Sequence, residues 1–214
     1  MGGVVVAGLL TSSALGQTPF IAYNNSTTPL DSFFASQREF GDQINIGTAG
    51  WIADSFRFEY FASGLAGGET AVVRFYENNG VPVGAGGTQA PGALLFESTE
   101  FSLVNGNIPV QIVDLQPLGI ALPASFTWTV VPRGVSGAEI FGLKLYDPPT
   151  VGSSLDDIWQ FGVSGWELLQ VDGLPTGASA NFGAILTAVP EPGPVALLAL
   201  GGLALLVRRR AASR

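Results

Sequence analysis

The chain predicts an all-β fold: an antiparallel β-sandwich, of jelly-roll type, with one C-terminal hydrophobic helix appended. Three observations lead there. Short runs of residues alternate between apolar and polar with the period-2 spacing of half-buried strands. Clusters of Gly, Pro and Asn separate these runs at close intervals. No stretch of ten or more residues between the two ends has helical periodicity. A fixed repeat is also lacking, which argues against propellers and solenoids.

The strands follow in order. Ser55 to Tyr60 alternates aromatics with charged or small residues, giving one dry and one wet face. In Ala71 to Tyr76, Val73 and Phe75 share one side while Arg74 and Tyr76 share the other. Leu94 to Ser98 and Ile108 to Val113 come next, and Phe126 to Val130 is the cleanest alternation in the chain. Ile140 to Tyr146 places Phe141, Leu143 and Leu145 on one face, with Lys144 and Tyr146 opposite. Trp166 to Val171 and Phe182 to Thr187 complete about eight strands. Turn signals lie between them at Gly67-Gly68, Asn78-Asn79-Gly80, Gly84 to Gly87, Asn105-Gly106-Asn107, Asp147-Pro148-Pro149 and Asp172-Gly173.

Both ends differ from this body. Val4 to Leu10 is apolar, and small residues at Ala14 and Gly16 fit a signal-peptidase site with cleavage before Gln17. Met1-Gly2-Gly3 has no Lys or Arg, so the natural start is expected upstream. At the other end, Pro190-Glu191-Pro192 precedes an apolar run from Val195 to Val207, followed by Arg208-Arg209-Arg210. That run of 13 residues would make a helix of roughly 20 Å, against a hydrocarbon core of about 30 Å. The segment reads as a temporary anchor, and the arginines favour keeping its end on the cytoplasmic side. The expected division is a signal peptide over 1–16, a sandwich over 17–188 and a tail over 189–214.

Composition excludes several functions. The 214 residues hold 9 basic and 17 acidic side chains. Setting aside the four tail arginines and Glu191 leaves the body near −11. Nucleic acid, which needs clustered Lys and Arg to neutralise phosphates, is not an expected partner. Cysteine is absent, so no disulfide, thiol nucleophile or thiolate metal site exists. Histidine is absent too, which removes the commonest general base and the usual partner of a catalytic serine.

The tail, with its tripeptide, apolar run and arginine cluster in that order, resembles the PEP-CTERM sorting signal of exported bacterial proteins. Phe40 to Ile44, Arg74 to Gly80 and Tyr146 to Gly152 resemble the body of a group of uncharacterised proteins carrying that signal. The resemblance implies export by the Sec machinery and transient anchoring in the inner membrane. It further implies recognition of Pro190, Glu191 and Pro192 by an exosortase, with Arg208, Arg209 and Arg210 as the retention signal. It also implies delivery to the cell surface or an extracellular matrix, with an association with exopolysaccharide and biofilm. It assigns no activity to the body.

Candidate sites within the body each have a plainer alternative. Asp147, Asp156 and Asp157, with Glu77, Asn78 and Asn79 on another turn, supply the hard oxygens that calcium takes; Asp and Asn also occur there simply as turn formers. No other cofactor is expected. Trp159 and Trp166 lie in a loop-rich stretch and are candidates for a sugar-stacking platform, whereas Trp128 is expected in the core. Glu59, Glu97 and Glu100 are the carboxylates a glycoside hydrolase would need, although an ion pair beside Arg57 accounts for Glu59 more simply. The expectation is a non-enzymatic structural or adhesive protein. A carbohydrate-binding module is the alternative, and a carboxylate-dependent hydrolase the remote one.

Overall fold

A computed structural model describes residues 18–112, 119–171 and 179–191, and in them the chain is built from strands alone. Strands are numbered along the chain. One sheet, sheet A, runs in the order β1 (Phe20–Asn25), β18 (Ala184–Val189), β4 (Trp51–Ser63), β13 (Ile140–Tyr146), β17 (Asn181–Phe182). In addition, β10 (Gly106–Ile112) and β11 (Ala121–Leu122) pair with β4, and β2 (Pro29–Ala35) pairs with β13. Sheet B runs β16 (Gly165–Leu169), β15 (Ile158–Gly162), β3 (Phe40–Asn45), β12 (Ser125–Arg133), β5 (Thr70–Glu77), β8 (Leu94–Glu97). Here β14 (Ser153–Ser154) pairs with β3 and β9 (Phe101–Ser102) with β5. A small hairpin joins β6 (Pro82–Val83) to β7 (Thr88–Gln89). The named pairings are all antiparallel.

The architecture is therefore an all-β antiparallel sandwich. Each run expected from alternation overlaps a strand, and Ile140–Tyr146 has the expected bounds; β8 stops at Glu97 rather than Ser98 and β16 at Leu169 rather than Val171. The run expected over Phe182 to Thr187 is two strands broken at Gly183, and the second extends to Val189. Three long strands near the N-terminus, β1, β2 and β3, were not foreseen. The segment Asp156 to Trp166, expected as loop, is instead part of a hairpin turning at Val163-Ser164. Ala14, Gly16, Gln17, Pro192, the 195–207 helix and Arg208, Arg209 and Arg210 lie outside the described residues. Among the described residues no helix is long and apolar enough to cross a membrane.

Aromatic rings from both inner faces close the core. Trp128, on β12 of sheet B, is fully buried. Its ring centroid lies 4.9 Å from Phe56, 5.7 Å from Phe58 and 6.0 Å from Phe182, all on sheet A. Phe40 of sheet B reaches Phe141 at 6.0 Å and Phe182 at 5.7 Å in the same way. These separations fall in the range where edge-to-face pairs add to simple burial. Trp128→Ala would open a cavity that three rings cannot collapse into, and should cost about 3–5 kcal/mol. Urea denaturation checks this: the midpoint should fall with an unchanged slope, and a loss under about 1 kcal/mol would show that Trp128 does not hold the sheets together.

Candidate functional site

The outer face of sheet B carries the densest polar chemistry of the fold. Strand register sets it out in rows. Trp159, Gly41, Thr129, Arg74 and Glu97 stand opposite one another in turn. Gln43, Thr127 and Tyr76 form the next row. Ser125 and Asn45 begin a third, and Asn78, one residue past the Glu77–Phe126 pair, completes it.

This face is curled. Trp166 on β16 stands four strands from Tyr76 on β5, which in a flat sheet would be roughly 19 Å. Their ring centroids are 5.6 Å apart, so the β15–β16 hairpin must fold back over the outer face. That explains why Trp159, in an outward row, has no exposed surface. Beneath the hairpin, Glu39 accepts hydrogen bonds from Tyr76 Oη at 2.9 Å and Thr129 Oγ1 at 2.7 Å. Arg74 donates to Glu39 at 2.9 Å and to Glu97 at 2.6 Å. Arg74 is partly buried, which alone would favour the neutral base, yet its carboxylate partners push its pKa up further, so it stays charged. Burial, then the Glu39 charge, pushes the Tyr76 phenol up as well.

Beyond the hairpin the face stays open. A cleft of about 490 Å³ is lined by Gln43, Glu77, Asn78, Asn79, Gln89 and Ser125. Its polar wall is pre-organised: Thr127 Oγ1 donates to Asn78 Oδ1 at 2.7 Å, and Asn78 Nδ2 donates to Ser125 Oγ at 2.9 Å. Gln43 Nε2 adds a 3.3 Å bond to the same Ser125 oxygen.

A second polar group lies inside the sandwich. Asp42, on the inner face of β3, has no exposed surface. Its Oδ2 accepts from Ser154 Oγ at 2.6 Å and, across the core, from the Phe182 amide at 3.3 Å. Oδ1 has no donor among the described residues, and neither do the buried Asn25 Oδ1 and Asn181 Oδ1. Burial pushes the Asp42 carboxyl well above the usual range, against the opposing hydrogen bonds from Ser154 and Phe182. Burial, then the Asp42 charge, likewise raises the Tyr23 phenol. A proton on Asp42 removes the cost of holding an unpaired charge in the interior.

The residues expected from sequence are distributed differently. Asp147 bonds Ser179 N at 3.0 Å and Asn181 Nδ2 at 2.9 Å. Asp156 is exposed and Asp157 half-buried. Among the described residues no group of three His, Cys, Asp or Glu is gathered for a metal; Asp147, Asp156 and Asp157 thus form no calcium cluster. Trp159 offers no face to a sugar, while Trp166 is half-buried against Tyr76 and Phe161. The two tryptophans therefore do not share an exposed platform.

The three glutamates do not converge either. Glu59 binds Arg57 on its own strand and accepts from Tyr146 Oη at 2.7 Å. Glu97 holds Arg74, and Glu100 pairs with Arg133 and Thr70. The cleft was missed because its walls come from positions 43, 78, 89 and 125. Only the Asn78-Asn79-Gly80 turn signalled it. No family model, curated protein or solved structure matches the chain.

Asp42 makes stability depend on pH. With its folded-state value raised above the ordinary carboxyl value of 3.8, the native state holds a proton that the unfolded chain has released. Stability is complete below that ordinary value and is lost as pH rises through the folded one, by about 1.4 kcal/mol per pH unit while the states differ by one proton. Asp42→Asn keeps the shape and stays neutral. Its stability between pH 4 and neutrality should be flatter than wild type, and greater at the upper end. Denaturation curves across that range test this, and parallel profiles for the two proteins would show that Asp42 is ionised in the fold.

Proposed function

We propose that this is an exported protein, sorted by its tail, with a non-catalytic structural or adhesive role at the cell surface or in an extracellular polysaccharide matrix. Its body would be a sandwich of jelly-roll type. The observation that carries the reading is the exposure of the tripeptide's first residues. Among the described residues the last strand ends at Val189, and Pro190 and Glu191 follow immediately and are exposed. An enzyme acting on the tail would need that access. The Glu191 carboxylate lies over Gly50, where an added Cβ would sit 3.4 Å from it.

By resemblance, Pro190, Glu191 and Pro192 engage an exosortase and Arg208, Arg209 and Arg210 retain the tail; the small residues Ala14 and Gly16 before Gln17 mark signal-peptide cleavage. Export through the Sec machinery and transient inner-membrane anchoring follow from the same resemblance. A non-catalytic role is supported by the engagement of Glu59, Glu97 and Glu100 in separate ion pairs. It is also supported by a composition without His or Cys. Mass spectrometry of both termini, in cell-surface and membrane fractions, tests the proposal. The surface form should begin near Gln17 and end close to Pro190-Glu191-Pro192. A chain that keeps Arg208 to Arg214 and stays in the membrane would be a tail-anchored surface domain, and the exosortase step would be wrong.

A further inference from the structure

From the geometry we infer that the cleft on the open half of sheet B is a binding site for a neutral oligosaccharide, held by Gln43, Asn78, Asn79, Gln89 and Ser125. This gives the adhesive reading above its ligand class and rests on that reading. The volume of about 490 Å³ lies within the usual span of small-molecule sites, about 300–1,000 Å³. The chemistry of the lining decides what fits. Four of the lining side chains are primary amides; Asn78 and Asn79 already use one acceptor and one donor bond each within the fold, which leaves a second N–H and a second carbonyl lone pair on each for a ligand. Ser125 Oγ already accepts from Asn78 and Gln43, so its own hydrogen remains to be donated. Sugar hydroxyls both donate and accept, and they match such a mixed set.

Charge narrows the choice further. Glu77 is the one ionised group of the lining, and no Lys or Arg stands there to take a phosphate, sulfate or uronate. A peptide seeking backbone pairing needs a free strand edge. This cleft lies on a sheet face, and the neighbouring edge of β5 is occupied by β8. Tyr76, two residues before Asn78 on the same face, contacts Trp166, which contacts Phe161 at 5.1 Å. Phe161 is 47% exposed. None of these rings is among the residues lining the cleft; its apolar lining is Pro123, and the rings give the same outer face further apolar surface.

Calorimetry and array binding of the full-length chain test the site. The probes are neutral β-glucan, xylan and mannan oligosaccharides, with an anionic alginate oligosaccharide and a mixed peptide pool for comparison. At least one neutral oligosaccharide should bind. Gln43→Ala and Gln89→Ala should each weaken it tenfold or more. Gln89 is an exposed side chain, so its variant should keep the wild-type melting temperature and keeps the test open should Gln43→Ala unfold. No neutral ligand, equal binding by the variants, or binding of only alginate or peptides would overturn the assignment. A protein found at the surface with correct termini but without sugar binding refutes the cleft alone. Binding by a chain that is never exported refutes the matrix role instead.

Discussion

The structure depends on the aromatic interlock between its two sheets. This chain has no cysteine, so no disulfide can staple the layers and packing must hold them. Trp128 enters between Phe56, Phe58 and Phe182, while Phe40 meets Phe141 and Phe182. Rings this large need facing positions on both sheets, which fixes strand register, because a slip of one residue would turn each ring to the wrong face. It also uses up the interior. With both inner faces filled, recognition is left to the outer faces and the ends of the sandwich.

Asp42 interrupts that dry interior at one point. Removing a polar side chain from water costs free energy unless it is hydrogen-bonded. Its bonds to Ser154 and to the Phe182 amide offset part of that cost and join β3, β14 and β17. Asn25 reinforces the junction by donating to the Tyr146 and Phe182 carbonyls at 3.0 and 3.2 Å. The short strand β17 thereby gains partners that its two residues alone would not supply. The neutral acid makes this tie stronger at low pH, opposite to the usual trend for paired surface carboxylates.

Legibility followed the regularity of each strand. Residues 125–133 and 140–146 alternate cleanly because every inward position is apolar, and their strands were read correctly. In β1 and β3 the inward or buried positions include Asn25 and Asp42, so the polar pattern concealed an edge strand of sheet A and a central strand of sheet B. The hairpin of β15 and β16 was concealed differently. Trp159 faces outward by register yet is buried, because the sheet curls the hairpin over it, and no local pattern encodes that curl. The cleft needs side chains from four separate segments, so only its Asn-rich turn was visible, and it read as a turn alone.

Where the chain ends lie gives the proposed cleft a directional meaning. Phe20 pairs with Ala188 and Val189 with Ile52, so β1 begins and β18 ends at one end of the sandwich. Ser125 pairs with Asn45, and the Ile46 amide binds the Ala124 carbonyl at 2.8 Å, at that same end. Gln43 and Ser125, two walls of the cleft, therefore sit close to where the tail departs. Under the proposed sorting, a tail held at a membrane would keep this end and its cleft near that membrane, and cutting the tail would free the surface. A lining mostly of neutral amides, with Glu77 as its one charge, depends less on salt than a charged one.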